Sequence, residues 1–129
     1  MKKPLLGLNP YYFEYRDAMW NGSKDRYFTA IWTAGGIPVT LHYPDQDGSI
    51  NEIAQAIDGL LLVGGPDIPN NIYNGNHPEL LDSDVMTLER EKFDRNIFLA
   101  MYNLRKPMLA ICVGRQHINV IRGGTLYED

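Results

Sequence analysis

The stretch Lys106-Pro107-Met108-Leu109-Ala110-Ile111-Cys112-Val113-Gly114-Arg115-Gln116 restricts this chain more than any other. Met108 to Ile111 is an apolar run of the length a buried strand needs, and Pro107, which has no N–H, fits only its first position. Val113 to Ile121 continues as a helix, and Gly114 relaxes a corner where a side chain would crowd the backbone. The only cysteine of the chain stands at that corner, where the free N–H groups of the helix's first turn would face its sulfur. Two readings of Cys112 follow: a small buried hydrophobe, or a nucleophile whose thiolate the helix end favours.

The remainder of the chain supplies a sheet for that corner. Pro4 to Leu8 suits a first strand closed by Asn9-Pro10. Tyr11 to Asn21 is aromatic without a clean period and reads as an ordered loop. From Lys24, Tyr27, Phe28, Ile31 and Trp32 share one helical face that Gly35-Gly36 ends. Ile37 to Leu41 is a second strand, Tyr43 to Ser49 a turn, and Ile50 to Ile57 a short helix. Asp58 to Val63 is a third strand, almost wholly apolar, as expected when helices cover both faces of a parallel sheet. A long loop from Gly64 to Asp84, with His77 in it, precedes a helix marked by Phe93, Ile97, Ala100, Met101 and Leu104. Glu89 and Glu91 at its start and Arg105 and Lys106 at its end have the signs its dipole favours. Strands alternating with helices predict a mainly parallel α/β sheet with right-handed crossovers.

Bulk properties narrow the function. With 129 residues, 44% of them hydrophobic, the chain can bury a core and is not disordered. Sixteen acidic against twelve basic residues give a net charge of −4 without any long basic cluster, which disfavours nucleic acid as a partner. A lone cysteine fits a reducing compartment, so the cytoplasm is expected. Pro4, Gly7, Asn9 and Pro10 interrupt what could be a signal peptide after Lys2-Lys3, and no run approaches a membrane span.

In a parallel α/β sheet, sites form beyond the carboxyl ends of strands. Cys112 and Gly64-Gly65 both occupy such ends, so they should share a rim. There the backbone N–H groups of Gly65 and Val113 are placed to receive an oxyanion, whereas Pro66 has none to give. Asp67 caps the Gly-Gly turn or binds a substrate amine. His42 reads as a strand-end residue and His117 as a surface or core helix residue pointing away from the thiol. His77-Pro78-Glu79 is better suited to lining an entrance than to serving as a base. Gly64-Gly65 lacks the remaining residues of a phosphate loop.

Gly64-Gly65-x-Asp67-Ile68 with Pro69 and Tyr73, then Ile111-Cys112-x-Gly114-x-Gln116, Asn119-Val120 and Gly123-Gly124-Thr125-Leu126-Tyr127-x-Asp129, together resemble the class I glutamine amidotransferase superfamily. The resemblance is strongest to its γ-glutamyl hydrolase branch, peptidase C26, which includes γ-glutamyl-γ-aminobutyrate hydrolases. Gly35-Gly36-Ile37-Pro38-Val39 matches as well, so the likeness spans nearly the whole chain. It implies a flavodoxin-like three-layer α/β/α sandwich, residues 1–129 being the N-terminal portion of one such domain. It also implies hydrolysis of a small-molecule γ-glutamyl amide through a thioester on Cys112, with Gly65 and Val113 as the oxyanion hole and no cofactor or metal. Ala110, Val113 and Arg115 depart from the commoner glycine, arginine and methionine without touching that chemistry. The family's His-x-Glu is expected downstream of these residues, and a non-catalytic module of the same fold is the alternative. With the sheet continuing past the cysteine's strand in the family, the 129 residues alone are expected to associate, and a homo-oligomer fits that expectation.

Overall fold

The computed structural model describes residues 2–43, 49–81 and 84–128. Asp129 and most of the turn expected over Tyr43 to Ser49 lie outside them. Four strands, β1 (Leu5–Leu8), β4 (Ile37–Thr40), β5 (Gly59–Leu62) and β6 (Met108–Ala110), form one sheet in the order β4-β1-β5-β6. All three pairings are parallel. Numbered among themselves along the chain, these strands run 2-1-3-4, the start of the flavodoxin order, whose crevice opens at the carboxyl ends of the first and third. The α/β class and the parallel sheet are as the sequence predicts.

Helices cover both faces. α1 (Asp25–Thr33) packs on one face, where Leu8, Ile31, Leu61 and Val63 form a core with Tyr27 and Phe28 against it. α2 (Ser49–Ala56) and α3 (Leu88–Asn103) pack on the other, enclosing Leu60, Leu62, Phe93, Ile97 and Met101. Leu60 and Leu62 thus go to one core and Leu61 and Val63 to the other, which explains the unbroken apolar run of β5. α4 (Val113–Ile121) follows β6 and adds Ile118 and Ile121 to the α2–α3 side. Among the described residues no helix is long and apolar enough to cross a membrane.

Local chemistry starts and stops these helices. Thr87 caps α3, its Oγ1 accepting the Arg90 N–H at 3.2 Å. α1, α3 and α4 all end in the same paired bonds from the two residues past the cap, Gly36 N to Ile31 O, Lys106 N to Met101 O and Gly124 N to Asn119 O being the longer links. Gly35 and Gly123 take the left-handed position after α1 and α4, and Arg105 takes it after α3 at φ 55°.

Three expectations need correction. Tyr11 to Asn21 is a hairpin, not a loop: β2 (Tyr11–Tyr15) pairs antiparallel with β3 (Ala18–Gly22), across Arg16-Asp17, both at positive φ as a type I′ turn requires. Trp32 does not share the buried face of α1; it is about half exposed, with the Lys3 ammonium 5.7 Å from its ring centre. Lys106 serves α2 rather than the helix it follows, its Nζ donating to Ala54 O, Gln55 O and Ile57 O at 2.7–2.8 Å. A cation at those last carbonyls complements the negative end of α2.

Candidate active site

Three strand ends meet at the rim: Asn9 after β1, Gly64-Gly65 after β5 and Cys112 after β6. β5 and β6 are in register from Leu60–Met108 to Leu62–Ala110, and the Ile111 N–H continues the ladder to Leu62 O at 2.9 Å. This adjacency brings the two turns together, so that a Cβ added to Gly64 would lie 3.5 Å from Cys112 Cβ. A Cβ on Gly114 would lie 2.6 Å from Leu62 O. The crowding inferred at Gly114 is thus real, but its source is the neighbouring strand's backbone, against which the first turn of α4 sits.

Among the described residues Cys112 is exposed and is not packed into an apolar core. It is the N-cap of α4 at φ 52°, ψ −115°, a backbone state that costs an L-residue about 1–3 kcal/mol and that surrounding structure must hold. The flanking sequence supplies that hold: Ile111 is fixed to β5, and Val113 is buried with Ile68, Tyr73, Met86 and Val120. The Val113 side chain is spent on this core. Its N–H, as the first in α4, has no intrahelical carbonyl to meet and faces the same end of the helix as the thiol.

Beneath the rim lies a buried polar chain that the sequence pattern did not single out. Asn9 Oδ1 accepts the Val63 N–H at 2.7 Å, and Asn9 Nδ2 donates to Asp94 Oδ2 at 2.8 Å. Arg90 Nε donates to the same Asp94 oxygen at 3.2 Å. Arg90 Nη2 donates to Val63 O at 3.2 Å and to Gly64 O at 2.9 Å. Arg90 is 2% exposed and Asp94 3%, and the guanidinium also lies 4.9 Å from the Tyr11 ring centre. Burial pushes the Asp94 carboxyl up to about 6, against the opposing pull of Arg90 and of its hydrogen bonds to Asn9 and Arg90. Burial and a hydrogen bond with Tyr27 push Tyr11 up to about 12, while the Tyr27 hydroxyl accepts the Gly64 N–H at 3.3 Å. One signal was present in the sequence: positions 90 and 94 precede 97 and 101 by whole turns, on the stripe that marks the buried face of α3.

The other candidates stand apart from the thiol. His117 is buried and pairs through Nε2 with Glu91 Oε1 at 3.2 Å; desolvation lowers its pKa, against the pull of Glu91. His77 is exposed, its Nδ1 3.1 Å from Glu79 Oε1 and its backbone N–H donating to the Glu128 carboxylate at 2.9 Å. His42 is exposed after β4. Among the described residues no hydrogen bond joins any of the three to Cys112. The Asp67 carbonyl accepts the Met86 N–H at 2.7 Å, which ties the start of the long loop to its end. A cleft of about 550 Å³ lies between the hairpin and residues 84–87, with Tyr11, Pro66 and Arg90 in its wall. The described residues contain no cluster of three or more His, Cys, Asp or Glu side chains suited to a metal ion.

Residues 4–129 match the Peptidase C26 family model. The chain is 33% identical to the glutamine amidotransferase-like protein RP404 of Rickettsia prowazekii, over 98% of this chain and 46% of that protein. It is 35% identical to protein NtpR of Enterococcus hirae, over 80% and 42% of the two chains. With the γ-glutamyl-γ-aminobutyrate hydrolase PuuD of Escherichia coli it shares 31% identity, over 81% and 41%. The chain therefore spans less than half the length of these relatives.

Proposed function

This chain belongs to the Peptidase C26 family, and from that premise we propose that Cys112 is the nucleophile of a hydrolase acting on a γ-glutamyl amide, the chemistry named for its PuuD relative. The observation that carries the reading is Cys112 itself: an exposed thiol held at φ 52°, ψ −115° between a strand and a helix. Such a turn lifts the nucleophile clear of the sheet and aims N–H groups at the space before it.

In this reading the Cys112 thiolate attacks the γ-carbonyl carbon and forms the C–S bond. The carbonyl electron pair moves onto oxygen, where the Gly65 and Val113 N–H groups donate to it. Collapse breaks the C–N bond, and the amine leaves with a proton from a general acid. Water then adds to the thioester, the C–S bond breaks, and the γ-carboxylate and the thiol are released. The histidine and carboxylate that move these protons come from sequence outside the 129 residues; His77 and His117 pair with Glu79 and Glu91, and His42 lies exposed after β4.

The test uses the full-length protein and the release of amine from γ-glutamyl amides. Cys112→Ala is expected to lower kcat by at least about 10⁴-fold, the scale on which losing a nucleophile acts. A glutamine-like chloroketone should add its mass at Cys112 of the folded wild type. A Cys112→Ala protein with wild-type turnover would overturn the role of Cys112 as nucleophile, and a wild type without turnover that is labelled only after denaturation would favour a non-catalytic module of the same fold.

A further inference from the structure

We infer that Arg90 is a positioning residue for the oxyanion hole, fixing and polarising the Gly64–Gly65 peptide from beneath. The inference rests on the nucleophilic role proposed for Cys112 and extends it to a buried residue that never meets the substrate. A trans peptide is planar, and its C=O and N–H point in opposite directions. Arg90 Nη2 holds Gly64 O at 2.9 Å, so the Gly65 N–H of the same peptide is turned away from the guanidinium, toward the opposite side of the loop. Gly64 is the residue against which Cys112 packs.

The preceding peptide is gripped too. Val63 O accepts from the same Nη2, and the Val63 N–H donates to Asn9 Oδ1. Asn9 and Arg90 meet on a single oxygen of Asp94, which joins the ends of β1 and β5 to the first turns of α3. Nη1 occupies the space a Gly65 side chain would need, so any side chain at 65 would push the guanidinium off its place. Glycine at 65 and arginine at 90 are thus two halves of one fit. A charged donor on a carbonyl also withdraws electrons from its amide, which makes the attached N–H a stronger donor in a dry setting. Both effects grow as charge develops on the substrate oxygen, so they belong to the transition state and not to substrate binding.

Arg90→Lys and Arg90→Gln in the full-length protein test this. Lysine keeps the charge with one compact donor, and glutamine keeps a donor to Gly64 O without the charge. For variants that melt cooperatively, kcat should fall about 10²-fold for Gln and less for Lys, the scale of one lost oxyanion donor. KM should stay within about threefold. Alkylation of Cys112 by iodoacetamide, a displacement that forms no oxyanion, should keep its wild-type rate. Folded variants with wild-type kcat, or with kcat and alkylation falling together, would overturn the inference.

Should neither variant fold, the wild type decides through its complex with a γ-glutamyl aldehyde. The expected adduct has its oxygen on the Gly65 N–H, with Arg90 still on Gly64 O. An adduct oxygen held elsewhere, or a Gly64 carbonyl turned from Arg90 to face Cys112, would overturn the role of Arg90 alone. No adduct at all would instead remove the nucleophilic role of Cys112, on which the inference depends.

Discussion

Cys112 and Asp94 illustrate what a single residue's surroundings decide. Asp94 is buried with its pKa raised to about 6 from an ordinary value near 4. The folded state therefore takes its proton more readily than the unfolded state. Stability from this group is fully present below pH 4 and is lost as pH rises through 6. Asp94→Asn abolishes that dependence, whatever constant offset comes from giving Arg90 a neutral partner. Relative to the wild type, Asp94→Asn should gain about 2 kcal/mol between pH 4 and pH 7, read from urea midpoints across that range. A gap that stays constant with pH would mean the carboxyl titrates alike in both states. Sequence made Cys112 and Gly64-Gly65 legible because a lone thiol and a glycine pair, each directly after an apolar run, mark the tight turns at strand ends where sites form. The Asn9–Asp94–Arg90 chain was obscured, since an arginine and an aspartate four apart on a helix usually form a solvated surface pair. Only the neighbouring strand ends turn that pair into the floor of a site.

At the level of elements, the legible boundaries were those written in residues with one dominant conformational use. Gly35 and Gly123 take the left-handed positions that end α1 and α4, and α4 runs from Val113 to Ile121 as its spacing predicts. The hairpin was missed because its turn is Arg16-Asp17, at φ 50° and 61°, where Asn-Gly would have announced it. Arg105 is the same kind of exception: it closes α3 in the geometry the glycines use elsewhere, with Lys106 N on Met101 O at 3.1 Å and Arg105 N on Tyr102 O at 3.0 Å. A side chain at positive φ costs roughly 1–2 kcal/mol that glycine does not. Arg105→Gly should therefore raise stability by about 0.5–1 kcal/mol in urea unfolding, after the greater freedom of glycine in the unfolded chain is deducted. A loss of stability would show that the exposed Arg105 side chain makes a compensating contact.

For the molecule as a whole, the described sheet carries helices on both faces but is open along β6, where one face is bare as well. Leu109 in its centre is 64% exposed, and Ile111 just beyond it is exposed as well. In an α/β sheet such residues normally lie under a further strand or helix, and the relatives carry more than as much sequence again as this chain matches. An uncapped parallel edge with apolar side chains is a template for pairing with another chain. Prepared as these 129 residues, the protein should therefore self-associate, its weight-average mass in sedimentation rising with concentration. Leu109→Lys puts a charge in the middle of that edge without entering the core, and should shift the population toward monomer while leaving the far-ultraviolet dichroism unchanged. A wild-type chain that stays monomeric at high concentration and melts cooperatively would mean that the β6 edge is protected within these residues. Association that survives Leu109→Lys would move the contact to another surface, where the exposed Phe13, Tyr15, Met19 and Trp20 of the hairpin are the next apolar group to substitute.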